Sequence, residues 1–409
     1  MSGQGHAQGL IGLKKTKGRS RDSSACGEDA AGARRRETVR RDCFPSGSPP
    51  SAGQTQSGGP LARAEAAALD PARGDADILR RRRFALAILT CIVLGLAAGL
   101  ATGASGFSPR AFWADLQGEQ AALLLGQIRA PRTLGAALLG ALLGLSGAIA
   151  QGVFRNPLAD PYLLGSAAGA GLAVVLVLAA AGLGGVSISL ATAAWAERVG
   201  VVVAAFVGAG VGVGLTLMLA RGAVHTLRLL LAGVVVGVLL GAVSDLITVA
   251  SPDALRAKQS FMLGSTSFLG WPALAWMGCG LVVLLLGAGR LARALDALTL
   301  GDDSAASLGL DLARVRLVLV LLLSLGTALA VSQAGLVAFV GLVAPHLVRR
   351  SAPGPHAWLL LASAGTGTLL LLVADVISRA LIAPQELPVG VVTAVLQRWV
   401  SGKSGEAGA

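Results

Sequence analysis

The sequence LTLGDDSAASLGLDLAR, residues 298–314, is a polar segment between two long apolar stretches. Its first glycine interrupts the preceding run, and Asp302 or Asp303 can accept hydrogen bonds from the free N–H groups of a following helical turn. Gly309 can end that turn, and Asp311 can begin the next helix. The pattern predicts a short ordered helix at one end of a helix bundle. It is either a solvated turn or a rigid element that docks into a cytoplasmic partner.

Apolar runs of about 20 residues on both sides of this segment determine the class of the protein. The 409 residues are 54% hydrophobic and only 14% charged, whereas soluble domains carry about 25% charged residues. We therefore predict an all-α, polytopic membrane helix bundle with about ten spans. The predicted spans are about 84–103, 133–152, 162–183, 199–219, 229–250, 271–289, 317–334, 335–348, 357–378 and 387–396.

Many of the 56 glycines lie inside the apolar runs. In a membrane bundle, small residues four positions apart let two helix backbones approach closely. This spacing predicts tight helix packing at Gly140/Gly144, Gly208/Gly212, Gly210/Gly214 and Gly237/Gly241.

The chain is predicted to have three parts, and its charge pattern orients them. Residues 1–83 are polar, basic and poor in large apolar residues, and so predict a disordered tail. Their basic end, Arg80 to Arg83, directly precedes the first span and places the N-terminus in the cytoplasm. The membrane domain then covers 84–396, with an outer loop at 107–131 and an outer segment at 251–270.

The last part, residues 397–409, is predicted to be a polar C-terminal tail. The preceding apolar run from Leu387 stops near Leu396 and is followed by Gln397 and Arg398. At 1.5 Å per residue, about 10 residues cover only about half of a ~30 Å hydrocarbon core. The tenth span is therefore predicted to be truncated.

Few acidic residues lie inside the predicted spans, and a carboxylate buried in a membrane is a functional candidate by default. Asp375 has Arg379 four residues later, which predicts a local ion pair. Asp245 makes either a polar contact near the outer mouth or a contact along a transport pathway.

The sequence offers no pattern for catalysis, a metal or a cofactor. The histidines and cysteines lack ligand spacing. The triplet at Gly402 resembles part of a P-loop, but the required glycine five residues earlier is Gln397. The basic tail has one aromatic residue and no nucleic-acid motif, so a nucleic-acid partner is not expected. Energy for transport must come from an ion gradient or from a partner, or no energy is used.

Several motifs in a fixed order resemble those of one transporter family. They are Ile128–Arg132, Leu145–Ala148 with Gln151 and Arg155–Pro161, Leu231–Gly233, Met262–Ser265, Leu300–Asp302 with Leu308–Gly309, Phe339–His346 and Glu386–Thr393. Together they resemble the permease subunits of ABC importers for iron–siderophores, haem and cobalamin, the FecCD-type family. The resemblance covers about 84–396, which would be the permease domain.

The resemblance implies a type II ABC importer permease fold and a transport subunit that is not itself an enzyme. Its partners would be a second permease subunit, in a homodimer or heterodimer, two cytoplasmic ATPase subunits and an external substrate-binding protein. The location would be the bacterial inner membrane. The cargo would be an iron–siderophore-type chelate, or haem or cobalamin.

The resemblance also implies roles for individual residues. Residues that would form the ATPase coupling helix are Gly301, Asp302, Asp303, Ser304, Ala305, Ala306, Leu308 and Gly309. Arginines that would dock the binding protein, or would instead anchor helix ends at lipid headgroups, are Arg129, Arg132 and Arg379. Candidates for conformational or pathway roles are Asn156, Pro157, Asp160, Pro345, His346, Glu386, Pro388 and Gly390.

Two other functions remain open from the sequence. One is a secondary carrier driven by an ion gradient, which the ordered polar segment and the scarcity of membrane acids disfavour. The other is a truncated permease that does not transport, which rests only on the shortened tenth span.

An apolar continuation after Leu396 is predicted to increase both membrane yield and uptake, because it lets the tenth span cross the hydrocarbon core. The variant Gln397→Leu with Arg398→Leu can be compared with Gln397→Asn and Arg398→Lys, which keep the segment polar. Membrane yield and substrate uptake that are unchanged by the leucines would contradict the prediction.

Overall fold

A computed structural model of the chain describes residues 71–103, 106–107, 110, 112–113, 117–118, 121–183 and 195–406. The predicted disordered tail lies outside the described residues as far as residue 70. Contrary to that prediction, residues 71–83 belong to the first helix, whose sequence there is rich in the helix formers Ala, Arg and Leu.

Thirteen α-helices of six or more residues lie in the described part of the chain. They are α1 (Pro71–Ala101), α2 (Ala130–Phe154), α3 (Ser166–Leu183), α4 (Trp195–Leu219), α5 (Thr226–Ala250), α6 (Pro252–Leu263), α7 (Trp271–Arg290), α8 (Ala292–Thr299), α9 (Asp302–Ser307), α10 (Leu312–Ala334), α11 (Val340–Ser351), α12 (His356–Ala380) and α13 (Val389–Glu406). Two short strands, β1 (Thr102–Gly103) and β2 (Gly106–Phe107), pair antiparallel after α1.

The start of α1 is held against the C-terminal end of α11. Arg80 Nε donates a 2.6 Å hydrogen bond to the Ser351 carbonyl oxygen. Arg81 Nε donates one of 2.9 Å to the carbonyl oxygen of Pro353. Arginine near a helix C-terminus satisfies carbonyl groups that the helix leaves free. The basic stretch is therefore a structural contact as well as an orientation signal.

Helix α2 lies at the centre of the bundle. Most of its side chains are buried, and it packs most extensively on α12 and also on α10, α11 and α7. A second group forms where α3 packs on α4, α5 and α6. The core is therefore organised around one almost fully enclosed span.

Two of the four predicted glycine pairs make close helix contacts. A Cβ atom at Gly140 or Gly144 would clash with the α12 backbone. One at Gly208 would clash with the α3 backbone, and one at Gly212 would clash with the carbonyl of Gly165 just before α3. The pairs at 210/214 and 237/241 instead have no neighbouring atom within 4 Å in the described chain. They lie on outward faces of α4 and α5.

Seven described helices are long and apolar enough to cross a membrane, and Ser166–Ala181 is a shorter apolar helix. Each of the ten predicted spans has a corresponding helix. The helix for the eighth span, α11, has only 12 residues and runs from 340 to 351 instead of 335 to 348. Helix α13 continues through Glu406, beyond the predicted end of the tenth span. Residues 397–406 are therefore helical, while 407–409 lie outside the described residues.

One other predicted boundary was wrong. Residues 121–129, expected in an outer loop, form a helical turn and a π-helical segment that run directly into α2. The outer segment 251–270 contains α6, which Ser251 caps by accepting a hydrogen bond from the Ala254 N–H. Pro252 at the first helical position favours that start.

Gly144→Ala should destabilise the protein by about 1–3 kcal/mol, because its methyl group would overlap the Ser363 carbonyl and force α2 away from α12. Gly210→Ala is the matched control. It adds the same methyl group to open space and should be neutral or stabilising by up to about 1 kcal/mol. Thermal unfolding in detergent compares the two, and equal midpoints would contradict the prediction.

Candidate functional site

The coupling segment, residues 298–311, forms a compact turn–helix–turn between α8 and α10. Gly301 is the N-cap of α9, with φ 111°, and no side chain caps this helix. The prediction that Asp302 or Asp303 caps it was wrong, because α9 begins at Asp302 itself. The predicted ends are confirmed: Gly309 has φ 81°, and Asp311 Oδ1 accepts a 3.2 Å hydrogen bond from the Arg314 N–H.

The predicted coupling residues divide between two faces. Ala305 is fully buried against the bundle, and Asp302 forms ion pairs with Arg155 and Arg316. The exposed residues are Asp303, Ser304, Ala306, Leu308 and Gly309. On this polar segment two large apolar side chains, Leu300 and Leu308, are 69% and 65% exposed. An exposed leucine pair beside a capped turn is a candidate docking face.

The other end of the bundle carries an ionic cluster centred on Asp375, whose side chain is fully buried. Arg379 pairs with Asp375 as predicted. Arg132 Nε lies 3.3 Å from Asp375 Oδ1, and its Nη1 lies 2.6 Å from Glu386 Oε1. Thr266 Oγ1 donates a 2.6 Å hydrogen bond to Asp375. The cluster therefore joins α2, α12 and the loops before α7 and α13.

Glu386 is the exposed member of this cluster, which lies at the end predicted to face outward and is therefore named the outer cluster. Burial alone would raise the pKa of its carboxyl group, but hydrogen bonds from Arg132 and Ser267 and the charges of Arg132 and Arg379 outweigh that effect. The pKa of Glu386 therefore lies below its ordinary value. Ser267 Oγ donates its hydrogen bond over 2.7 Å. Glu386 is thus held as a carboxylate that ties the loop before α13 to α2.

The three arginines predicted to dock a binding protein all make contacts inside the chain. Arg379 Nη1 donates hydrogen bonds of 3.0 Å to the carbonyl oxygens of Gly99 and Thr102. Arg129 is 9% exposed and donates to the Leu100 carbonyl. Together with the pairs of Arg132, these contacts give each arginine a structural role at this end.

Asp245 lies on α5 and forms an ion pair with Lys258 of α6. Its side chain is 73% exposed, whereas that of Lys258 is 19% exposed. Of the two predictions for Asp245, a polar contact or a contact along a transport pathway, the structure shows a polar contact.

The conformational and pathway candidates are not brought together in one site. Asn156 and Asp160 accept hydrogen bonds from the N–H groups of Leu158 and Tyr162, respectively, and so shape the link from α2 to α3. Pro157 lies in the same link. On α11, Pro345 is buried and His346 is exposed. Around the start of α13 lie Glu386, Pro388 and Gly390.

Gly390 adjoins a mostly apolar groove of about 400 Å³ at the start of α13. The groove is lined by Met262, Leu263, Leu336, Ala338, Phe339, Gly390, Val391, Ala394 and Val395. A Cβ atom at Gly390 would clash with the Leu263 carbonyl. The glycine thus lets α13 lie directly against the end of α6.

Several polar contacts at the opposite end were not predicted from the sequence. Asp296 on α8 accepts hydrogen bonds from the His356 backbone N–H and ring Nδ1, at 2.9 and 2.7 Å. Arg349 donates to Gln151, which donates to the Leu342 carbonyl. Residues so distant in sequence carry no local signal for such pairing. Only the topology brings them together.

Arg379→Met should lower the free energy of unfolding by about 3–5 kcal/mol, because it leaves Asp375 and two carbonyl groups buried with fewer partners. Arg256→Met is the control, since Arg256 is 79% exposed and, among the described residues, pairs only with the exposed Asp253. An exposed pair contributes about 0–1 kcal/mol. Thermal midpoints in detergent measure both. If both variants lower the thermal midpoint by similar small amounts, the outer cluster does not stabilise the fold.

Comparison with known proteins places these features in a family. The model of the FecCD transport family matches residues 88–398. The vitamin B12 import system permease protein BtuC of Pectobacterium atrosepticum is 38% identical over 317 residues, which cover 77% of this chain and 91% of that protein. The hemin transport system permease protein HmuU of Yersinia pestis is 37% identical, with coverage of 77% and 92%.

A solved structure supports the same fold. It is described as an inward-facing conformation of a transporter assigned to the metal-chelate ABC type, and it covers 80% of this chain and 99% of its own chain. The TM-score is 0.67 at 23% identity. The predicted all-α membrane bundle is confirmed. The chain belongs to the FecCD transport family, as a multi-pass permease subunit of an ABC importer whose ATPase is a separate subunit.

Proposed function

We propose that this permease moves a large organic chelate, of the iron–siderophore, haem or cobalamin type, across the bacterial inner membrane. An external binding protein delivers the chelate, and two cytoplasmic ATPase subunits supply the energy. Relatives named for vitamin B12 and hemin transport support this class of cargo. The described acids also fit ATP-driven transport better than an ion-gradient carrier, because Asp245 and Asp375 are both engaged in ion pairs.

The proposal rests on the exposed, ordered face of the coupling segment. Exposed Asp303 lies on the short helix α9, and exposed Leu300 and Leu308 flank it. Glycines with positive φ stand on both sides of α9. Such a turn moves as a rigid body, which is what passing a push from one subunit to another requires. We propose that this exposed face enters a cleft in the ATPase. Asp302 and Ala305 face the permease instead.

We propose that the permease is oriented in the membrane with the coupling segment in the cytoplasm. Basic residues concentrate at that end of the bundle, as the positive-inside rule requires. They are Arg80–Arg83, Arg155, Arg221, Arg228, Arg290, Arg293, Arg314, Arg316, Arg349 and Arg350. The N-terminus is then cytoplasmic, and the outer cluster faces the binding protein. Since Arg129, Arg132 and Arg379 have internal partners, docking there would use the rim of the cluster around Glu386.

The second permease subunit is proposed to pack against α5 and α13. Helix α5 turns large apolar side chains outward along its length, among them Leu231, Val238 and Leu246. Gly237 and Gly241 lie open on α5 and would let a partner backbone approach closely. The transport pathway would then run between the two subunits, beside the groove next to Gly390.

Leu308→Asp should reduce the amount of co-purifying ATPase at least tenfold, because burying one leucine contributes about 1.5–3 kcal/mol and 1.4 kcal/mol corresponds to a factor of ten. The measurement is affinity purification of the permease from its own cells in detergent, with quantification of bound ATPase. Asp253→Lys, an exposed change at the other end of the bundle, is the control.

An ATPase that stays bound to Leu308→Asp at wild-type amounts would overturn the docking proposal. If none is bound even to the wild type, the same purification with the apolar variant of residues 397–398 separates two causes. Recovery of the ATPase would identify the short tenth span as the defect, as expected for a truncated permease that does not transport. Continued absence would contradict the proposed coupling.

A further inference from the structure

Arg316 is a buried charge that the sequence gives no reason to expect. It lies on the second turn of α10 and is 1% exposed. Its Nη2 donates a 2.6 Å hydrogen bond to Asp302 Oδ1, and its Nη1 donates to the Val224 carbonyl in the turn before α5. Taking a guanidinium out of water is costly unless a carboxylate compensates it. Asp302 is therefore the group that makes this burial possible.

Asp302 also receives a second arginine. Arg155 follows the last residue of α2 in the left-handed conformation, with φ 50°, and donates to the same oxygen, Oδ1. Burial would raise the pKa of Asp302, but the hydrogen bond and charge of Arg316 and the charge of Arg155 hold it below its ordinary value. The carboxylate therefore stays ionised between two cations.

The geometry points to a link between the coupling helix and the membrane spans, which rests on the proposed ATPase docking. We propose that Asp302 is a positioning residue, which transmits the movement of α9 to α2 and α10 through Arg155 and Arg316. It acts toward the permease, whereas its neighbour Asp303 faces away. Asp303 is exposed and forms no ion pair within the described residues.

The rest of the coupling segment is attached independently. Within the segment, the fully buried side chains of Leu298 and Ala305 pack in the main core. Just before it, Asp296 on α8 accepts a hydrogen bond from the His356 N–H at the start of α12. Removing the Asp302 contacts should therefore leave the segment in place and its exposed face available to the ATPase. The expected defect is in transmission of movement, not in assembly.

The test uses the full permease–ATPase complex, purified with wild type, Asp302→Asn and Asp303→Asn permease. Hydrogen exchange is measured with and without ATP plus vanadate over the outer loops 264–270 and 381–388. In the wild type and in Asp303→Asn, the nucleotide should change deuterium uptake of these loops at least twofold. In Asp302→Asn, at least half of this change should be lost while the ATPase remains bound at wild-type amounts.

A full nucleotide response in Asp302→Asn would overturn the inference, even though the bound ATPase would still support the proposed function. An ATPase absent from the wild-type preparation and also from the apolar variant of residues 397–398 would contradict the proposed function itself. If Asp302→Asn fails to accumulate, Arg155→Gln removes the more exposed of the two partners. It should lose part of the response, and a wild-type response with Arg155→Gln would also overturn the inference.

Discussion

The close approach of α2 to α12 is the constraint on which the rest of the bundle depends. Gly140 and Gly144 meet the backbone of Gly367 and Ser363, with no room for a methyl group. In lipid, apolar burial does not drive helices together, so dispersion contacts between closely spaced backbones must do so. Helix α2 thereby becomes an enclosed axis, and α10, α11 and α7 pack around it.

The same helix connects the two charged ends of the molecule. Arg132 in its first turn contacts the outer cluster, and Arg155 just after its last turn contacts the coupling segment. A 25-residue helix spans about 37 Å at 1.5 Å per residue. A stiff, buried rod of this length can pass a displacement at one end to the other without loss in flexible loops. Both contacts are ion pairs, which are strongest where water is excluded.

Hydropathy predicted the helices, glycine spacing predicted the packing of α2, and helix-end residue types predicted the roles of Gly309 and Asp311. All of these depend on local sequence. Charge pairing across the fold was not predictable in this way. Arg132 and Asp375 are 243 positions apart, so nothing near either residue identifies its partner. The polar end of α13 shows a related limit. Hydropathy measures how favourably a segment transfers into lipid, not whether it is helical. Helix α13 therefore continues to Glu406 through polar residues beyond the end of the apolar run.

The partner of Arg316 has a consequence for how the protein is made. Asp302 precedes Arg316 by only 14 residues, so the carboxylate has already been synthesised when the arginine leaves the ribosome. Helix α10 can therefore be inserted by the translocation machinery with its buried cation neutralised at once. Arg132 pairs instead with Asp375 of α12, which is synthesised 243 residues later. The end of the permease that carries the coupling segment can thus mature during synthesis, while the end around Asp375 closes only after most of the chain is complete.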